Sequence, residues 1–376
     1  MFLQKNILIN ASNLHNGGGI QVAASFLDEL SKMAVVKNIN IHVFASSEVA
    51  ESLTNSNTDV SMFALYKVIN TYGIKTFFSP LNKKIKKYDL VFTVFGPSYL
   101  RIKAKKEIVG FAQAWILNFN NPVSKRMNLL KRNTLRLSYH LKWLFFLRAD
   151  HYIVELEHVK RELISKKKIA HNRVSVAYNT VSSLYIDNSK WKYFPIEKGA
   201  EEISLGIVTR DYPHKNINIF PLVAEALKLK HNIKVHFYTT LNDNEWETKD
   251  SFFKKYVSTV GSLSPDQCPS FYKQLDGVVF PSLLECFSAT PLESMVMKKP
   301  LFASDRGFVR DVCGEHVKYF DPLDPDDIAL KIATYFKEET DQSLWLKQAR
   351  VHALNFSSAR GRAEKYIEII RQQLKD

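Results

Sequence analysis

Two glutamates eight positions apart, Glu285 and Glu293, flank a short polar loop. Residues 288–290 of this loop directly precede a predicted helix that opens at Pro291. Backbone N–H groups at a helix start have no helical partner, so they can bind a phosphate group. One acid, an anion-binding backbone and a second acid could together hold a diphosphate that carries hydroxyl-bearing sugars. Two solvated surface acids would show the same spacing, because short motifs also occur by chance.

Two basic residues, Arg210 and Lys215, follow a predicted strand at 203–209. A guanidinium group forms paired hydrogen bonds with phosphate oxygens, and an ammonium group supplies a compact charge. Together they could neutralise a departing diphosphate without a metal ion. As an isolated pair they would be solvated surface charges. Their role therefore depends on whether the fold brings them to the loop that carries Glu285. The neighbouring His214 is predicted to be an exposed loop histidine.

A third candidate site is the glycine-rich loop after the first predicted strand, with glycines at 17–19 before a helix predicted at 20–33. The spacing is not the G-x-G-x-x-G fingerprint, and no suitable acid follows about twenty residues later, so no dinucleotide cofactor is expected. Glycines still allow a ligand phosphate or sugar to approach the backbone closely. A flexible turn would have the same composition.

Strand and helix patterns alternate along both halves of the chain, which predicts an α/β fold with two doubly wound parallel sheets. In the first half, strands are predicted at 6–10, 41–45, 90–95, 107–114, 151–154 and 174–178. In the second half, they are predicted at 203–209, 234–240, 259–261, 277–281, 300–303 and 317–320. Residues 181–200 lack periodicity and are predicted to be the interdomain linker. Because ligands bind beyond the carboxyl ends of such strands, both domains are expected to contribute loops to one cleft.

Composition limits the class of protein. A chain of 376 residues that is 45% hydrophobic can form two domains with sizeable cores. Its formal net charge of +14 indicates an anionic partner. Three cysteines without metal-ligand spacing, Cys268, Cys286 and Cys313, predict a reducing compartment and no disulfide framework. The first ten residues do not form a signal peptide pattern, and no apolar stretch approaches the ~20 residues that span a bilayer. We therefore expect a cytoplasmic protein, soluble or peripheral on a membrane.

The most basic stretch, residues 123–148, contains seven basic side chains interleaved with leucines and with aromatic residues. A cationic, aromatic-rich helix of this kind is typical of binding to an anionic membrane surface, where each basic residue contributes ~1 kcal/mol. A core helix with a basic outer face fits the stretch equally well. Nucleic acid is not an expected partner, because no recognised binding motif accompanies the charge.

The chain resembles the retaining glycosyltransferases of family 4, which have the GT-B fold of two Rossmann-like domains facing across a cleft. The resemblance rests on Glu285 and Glu293 as an E-x7-E pattern, on the segment PLESM (291–295), and on Arg210 and Lys215 as an upstream basic pair. Further matching segments are VGSLS (260–264), FPS (280–282), PLFASD (300–305), VRDVCG (309–314) and YFDP (319–322). The first half matches more loosely, through the glycine loop at 17–19.

The resemblance implies a domain plan. Residues 1–185 would form an acceptor-binding domain and residues 200–355 a nucleotide-sugar-binding domain. Residues 356–376 would form a final helix that packs back on the first domain. The implied reaction is the metal-independent transfer of a hexose from a UDP- or GDP-sugar, with no cofactor. The implied acceptor is a glycan, lipid-linked at the cytoplasmic membrane face, in the synthesis of bacterial O-antigen, capsule or lipopolysaccharide.

The resemblance also implies residue roles. Glu285 would hold the hydroxyls of the donor sugar, and Glu293 those of the ribose. Arg210 and Lys215 would stabilise the charge of the leaving diphosphate and count, with Glu285, as the catalytic residues. The other donor-binding residues implied are Gly18, Gly19, Gln113, Gly261, Ser288, Ala289 and Thr290. No residue is expected to bind a metal ion.

The chain departs from the family pattern at three places. Cys286 and Ser288 stand where the acidic loop often has glycine, which predicts a stiffer loop. Gln113 stands where many members have a histidine, and glutamine cannot act as a base. Two alternatives therefore stay open. A GT-B nucleotide-sugar epimerase would need further acid and base residues, and an inactive nucleotide-sugar-binding scaffold is disfavoured by the intact acidic and basic pairs.

Overall fold

The computed structural model of the chain describes residues 5–34, 39–83, 86–199, 201–338 and 341–375. The prediction about a signal peptide concerns in part residues 1–4, which lie outside these ranges. The described residues form two compact units. The first contains those of 1–119, 128–179 and 358–376, and the second those of 120–127 and 180–357.

Parallel sheets form the centre of both units. Among the described residues, the first sheet has seven strands: β1 Asn6–Ala11, β2 Asn40–Ala45, β3 Leu65–Val68, β4 Tyr88–Thr93, β5 Ala104–Gly110, β6 His151–Val154 and β7 Val174–Val176. The described part of the second unit has six: β8 Ile203–Ile207, β9 Val235–Thr239, β10 Val257–Thr259, β11 Gly277–Phe280, β12 Leu301–Ser304 and β13 Lys318–Phe320. The strand orders are β3-β2-β1-β4-β5-β6-β7 and β10-β9-β8-β11-β12-β13.

α-Helices connect most of the successive strands, although none lies between β3 and β4 or between β4 and β5 in the described residues. They are α1 Gly18–Ser31, α2 Ser47–Asn55, α3 Ala114–Leu117, α4 Pro122–Lys125, α5 Leu129–Phe146, α6 Glu157–Lys167, α7 Phe220–His231, α8 Asp243–Glu247, α9 Ser251–Tyr256, α10 Cys268–Gln274, α11 Thr290–Val296, α12 Gly307–Cys313, α13 Pro325–Lys337, α14 Ser343–Phe356 and α15 Ala359–Gln373. No helix within the described ranges is long and apolar enough to cross a membrane. The parallel, helix-connected sheets confirm the predicted fold class.

The central strands were predictable because they are buried on both faces and therefore apolar throughout. The strand that the sequence pattern missed is β3, at the edge of the first sheet, where two of its four residues are exposed. β5 begins at Ala104, earlier than predicted, because its polar first residues pair with β4 through the backbone. It ends at Gly110, where an added Cβ would lie 1.7 Å from the Val94 carbonyl oxygen. Only glycine fits that position.

The predicted linker belongs to the second unit up to Gly199; Ala200 lies outside the described residues. The Phe194 N–H donates to Ser270 Oγ (3.1 Å), and the Ile196 N–H donates to Gln274 Oε1 (2.9 Å). These bonds attach an extended segment to α10 without any hydrophobic periodicity, which is why the pattern suggested a free connection.

The C-terminal helix α15 packs in the first unit. Its Tyr366 ring contacts Phe26 of α1 (4.9 Å between centroids) and Phe92 of β4 (5.1 Å). Its Arg362 is buried and donates to Asn179 Oδ1, and Asn179 Nδ2 donates to Glu155 Oε1 (2.8 Å). Burial raises the pKa of Glu155 to about 7, although the Arg362 charge and the Asn179 bond both oppose the shift.

We expect Arg362→Met to lower the free energy of unfolding by about 3–5 kcal/mol, because it leaves a buried carboxylate without its cation. A raised carboxyl pKa means that the folded state keeps the proton to higher pH than the unfolded state does. Stability from this group therefore falls as pH rises from about 4.5 to about 7. Urea unfolding at pH 5.5 and pH 8 should show the larger loss at pH 8. Arg360→Met, an exposed position on the same helix, is the control, and equal losses at both pH values would contradict the role of Glu155.

Candidate functional site

The predicted site residues of the second unit follow the carboxyl ends of its strands. Arg210 and Lys215 follow β8, Gly261 follows β10, and Glu285 follows β11. Because all the strands of this sheet run parallel, these loops emerge at the same edge. The strand order reverses between β8 and β11: β9 and β10 lie on one side of β8, and β11 to β13 lie on the other. Open parallel sheets bind ligands at such a reversal.

An ion pair joins two of these loops: Lys215 Nζ donates to Glu285 Oε1 at 2.8 Å. The two side chains are only 16% and 11% exposed, so water screens the pair less than a surface pair. The sequence assigned these residues to different parts of a ligand, and the structure shows that they contact each other. The Lys215 ammonium also lies over the Phe280 ring, 5.6 Å from its centroid.

The backbone around His214 holds the two loops together. The His214 carbonyl oxygen accepts hydrogen bonds from the Leu283 N–H (2.7 Å) and from Ser282 Oγ (3.2 Å). The imidazole itself is half-buried and stacks on Tyr212, so the prediction of an exposed loop histidine is wrong. Burial lowers the pKa of His214. These hydrogen bonds therefore fix the loop after β8 against the loop after β11.

Glu293 lies in the first turn of α11, and its carboxylate accepts a hydrogen bond from the Tyr272 hydroxyl (Oε2, 3.0 Å). The Tyr185 hydroxyl bonds to the same carboxylate. Burial raises the pKa of Glu293 to about 7, and the two tyrosines and the Lys215 charge oppose this rise. The Lys215 charge thus acts on both glutamates, and these three residues form what we call the two-glutamate cluster.

Arg210 has separate partners. Its Nε donates to Glu245 Oε1 at 3.0 Å, and its side chain is 47% exposed. Glu245 is the third residue of α8 and completes a capping box with Asn242. Burial favours the protonated form of Glu245, but bonds from the Asn242 and Asp211 N–H groups and from Arg210 outweigh it, so its pKa is lowered. Glu245 is therefore an ionised carboxylate that forms an ion pair with the Arg210 guanidinium group.

The loop between the glutamates is well packed. Ser288 and Thr290 are buried and Ala289 is half-buried. α11 begins at Thr290, one residue earlier than predicted, and is only seven residues long. Gly261 has φ 76°, a left-handed conformation with open space around its Cα, so a side chain there would be strained.

The other predicted site residues lie in the first unit. The glycine loop is shorter than predicted, because Gly18 and Gly19 are already the first residues of α1. Gly17, with φ 72°, is the residue that needs glycine. Gln113 follows β5 and precedes α3. Ligand roles for Gly18, Gly19 and Gln113 stay predictions.

Sequence reasoning missed three residues of the site: Glu245, Tyr185 and Tyr272. The Asn242-x-x-Glu245 spacing is a capping-box signal that would have identified the first. The tyrosines carried no signal, since Tyr185 lies in the segment without periodicity and Tyr272 looks like any core aromatic. Among the described residues, no group of three or more His, Cys, Asp or Glu side chains could hold a metal ion.

Residues 189–352 match the model of a protein family described as "Glycosyl transferases group 1". The matched segment includes Arg210, Lys215, Glu285 and Glu293, and it begins after Tyr185. A comparison with curated proteins finds no significant match.

Solved structures of similar fold cover nearly the whole chain. A glycosyltransferase from Rickettsia africae ESF-5 superimposes with a TM-score of 0.71 at 16% identity, covering 100% of both chains. HepE from Anabaena, in complex with UDP, has a TM-score of 0.67 at 15% identity and covers 98% of this chain and 100% of its own. Sucrose-phosphate synthase from Thermosynechococcus elongatus has a TM-score of 0.66 at 14% identity, covering 98% and 99%. At these identities the likeness shows the fold.

We expect Glu245→Gln to increase the affinity for inorganic pyrophosphate about two- to fivefold, because a half-exposed ion pair with Arg210 is worth about 0.2–1 kcal/mol. Glutamine keeps the capping box, so α8 should stay intact. Isothermal titration calorimetry measures the change, and Glu247→Gln, an exposed position on the same helix, is the matched control for charge. An unchanged affinity would show that Glu245 does not compete for the guanidinium group.

Proposed function

We propose that this chain, a glycosyltransferase of the GT-B fold whose residues 189–352 match the model of glycosyl transferases group 1, moves a hexose from a UDP- or GDP-sugar to a glycan acceptor with retention of configuration. The observation that carries the proposal is the two-glutamate cluster, in which one ammonium group pairs with the Glu285 carboxylate at 2.8 Å and its charge also acts on the Glu293 carboxylate. Acids suit sugar hydroxyls and the cation suits phosphate oxygens. HepE, of similar fold, was solved with UDP and with UDP-glucose, which supports the donor class.

Each residue of the cluster has a separate task in the proposal. Glu285 accepts hydrogen bonds from the hydroxyls of the transferred sugar, and Glu293 accepts those of the ribose. Lys215 gives up part of its hydrogen bonding to Glu285 and binds the phosphate group next to the sugar. Because Lys215 is held close to both acids, little reorganisation is needed when charge develops on the departing diphosphate.

The bond changes balance without a protein nucleophile. The bond between the anomeric carbon and the phosphate oxygen breaks, and the acceptor oxygen attacks the same face. The acceptor hydroxyl proton passes to the departing phosphate oxygen. Gln113 can hydrogen-bond the donor but takes no proton. Arg210 and Lys215 supply the positive charge that a divalent cation would otherwise supply, so we propose a metal-independent reaction.

The acceptor is proposed to be lipid-linked, at the cytoplasmic face of the membrane, in the synthesis of a bacterial surface polysaccharide. The support comes from α5. At about 100° per residue, Leu130, Leu137, Leu141 and Leu144 fall within an arc of roughly 60°. All four are exposed, Leu130 by 84%. The opposite face is buried through Trp143 and Phe146.

Basic side chains flank this leucine stripe, with Lys131 and Lys142 on one side and Arg136 on the other, about 110–130° from its centre. This stretch was predicted to bind a membrane surface through a cationic, aromatic-rich helix. In the structure, the aromatic residues Trp143 and Phe146 pack inwards and leucines face outwards. An apolar stripe between two basic edges is typical of a helix that lies in a membrane interface. We propose an anionic membrane surface as its partner.

We expect one of UDP, GDP and ADP to raise the melting temperature, equally with and without EDTA, and Lys215→Ala and Glu293→Ala to abolish the shift. No shift with any of the three would contradict the proposed donor class. In the same series, Glu285→Gln should retain the nucleotide shift but slow donor turnover about 10²–10³-fold, since it weakens contacts that stabilise the transition state.

Turnover of the corresponding nucleotide-glucose, followed by NMR, reports both the rate and the anomer formed with a synthetic polyprenyl-linked sugar acceptor. Glu315→Gln, exposed in the same unit, is the control. Normal turnover in Glu285→Gln would disprove the catalytic assignment.

The double substitution Leu137→Gln and Leu141→Gln should reduce cosedimentation with vesicles containing anionic phospholipid about tenfold or more, because two leucines lose their apolar burial. The same change at Leu222 and Leu229, exposed on α7 in the second unit, is the matched control. Binding that survives the α5 substitutions, or is absent in the unaltered protein, would argue against this membrane surface.

A further inference from the structure

The carboxylate of Glu293 is hydrogen-bonded within the protein by two phenols. The Tyr272 hydroxyl donates to Oε2 at 3.0 Å, and the Tyr185 hydroxyl bonds to the same group. Tyr272 is fully buried and Tyr185 is 5% exposed, whereas Glu293 itself is only half-buried. The tyrosines therefore contact the carboxylate from the interior and leave its outer part accessible.

The two phenols come from distant parts of the chain and are each fixed. Tyr272 lies on α10, and its hydroxyl also bonds to Thr290. Tyr185 ends a 3₁₀ turn, Ser183–Tyr185, whose Leu184 N–H is capped by Ser182 Oγ at 3.3 Å. The two rings pack against each other with centroids 5.9 Å apart. Neither phenol oxygen can move away from Glu293 without displacing a packed ring.

An ionised carboxylate has about four lone-pair positions and only accepts hydrogen bonds. Two phenols occupy two of these positions, which leaves two for further donors. The ribose of a nucleotide carries a vicinal diol, which supplies two adjacent hydroxyl donors. A 2′-deoxyribose supplies only one, so one acceptor position would stay unmatched.

We propose that Tyr185 and Tyr272 are positioning residues that fix Glu293 as an acceptor for the ribose diol, and that they thereby make the site select ribonucleotide donors over 2′-deoxyribonucleotide donors. This inference rests on the proposed function, in which Glu293 binds the nucleotide. It assigns roles to a segment before residue 189, the first residue that the family model matches.

The protonation balance supports the same role. Burial raises the pKa of Glu293 to about 7 even though the bonds from Tyr272 and Tyr185 and the Lys215 charge oppose the rise. Two other titratable groups face this cluster: Cys268, whose own pKa burial raises to about 12, and His214, whose pKa burial lowers. Without the phenols, this pKa would be higher still, and Glu293 would keep its proton at neutral pH and lose an acceptor position. Its function as a pure acceptor depends on these two donors.

The test compares binding of UDP with 2′-deoxy-UDP, and of GDP with 2′-deoxy-GDP, by calorimetry in the full-length protein. The unaltered protein should prefer the ribonucleotide about tenfold to hundredfold, the range for one hydrogen bond to a charged group. Tyr272→Phe and Tyr185→Phe should reduce this preference to about threefold or less while the affinity for the deoxynucleotide stays the same. Tyr238→Phe removes an equally buried hydroxyl, bonded to the Glu197 carbonyl oxygen, and is the matched control.

The pH dependence gives a second readout. Affinity for the ribonucleotide should fall as pH drops through about 7, where Glu293 gains a proton, and the fall should begin at higher pH in the two tyrosine variants. Glu293→Gln should lose this pH dependence. If the tyrosines had only a structural role, the variants would lose affinity for the ribonucleotide and the deoxynucleotide by the same factor. The pH midpoint of ribonucleotide binding would then not change.

The outcomes separate the two levels of inference. If the unaltered protein binds neither UDP nor GDP, the proposed function fails and the positioning role fails with it. If it binds one of them and the tyrosine variants keep the full ribose preference, only the positioning role is wrong. Melting temperatures of all variants show whether a loss of affinity reflects unfolding.

Discussion

The ion pair between Lys215 and Glu285 is the interaction on which the candidate site depends. It joins the loops after β8 and β11, and the His214 carbonyl oxygen holds the same loops by two further hydrogen bonds. Because the pair is poorly exposed, removing either partner would leave the other charge in a position that water solvates weakly. The pair therefore keeps both charges oriented in a place where neither would be stable alone.

The Lys215 ammonium group also limits the rise that burial causes in the pKa of Glu293. Glu293 lies where burial favours its protonated form, and three groups oppose this: two phenols and the Lys215 ammonium. Arg210 differs from Lys215, since its side chain is half-exposed and its guanidinium group forms an ion pair with Glu245. The site thus contains one buried charge network that is held rigidly and one exposed ion pair that can open at small cost in free energy.

Much of the fold could be predicted because the buried parallel strands are continuous apolar runs, whose signal is local. The errors occur where backbone pairing or isolated contacts replace that signal. β3 is a half-exposed edge strand, β5 begins with polar residues, and the segment ending at Gly199 is attached by single hydrogen bonds. At α5, the composition predicted a cationic, aromatic-rich helix, but only packing decided that Trp143 faces inwards.

The sequence by itself determined the fold class through strand and helix periodicity, and it indicated the reaction class through a resemblance to a known family, carried by contiguous features such as the E-x7-E spacing and the basic pair after one strand. Tertiary structure alone decided which groups interact. Tyr272 and Glu293 are 21 positions apart, Arg210 and Glu245 are 35 apart, and Lys215 and Glu285 are 70 apart. Charge pairing and burial depend on distances in space, and spacing along the chain does not specify distances between loops. The protonation balance of Glu293, with its unexpected contact from Tyr185, followed only from the packed site.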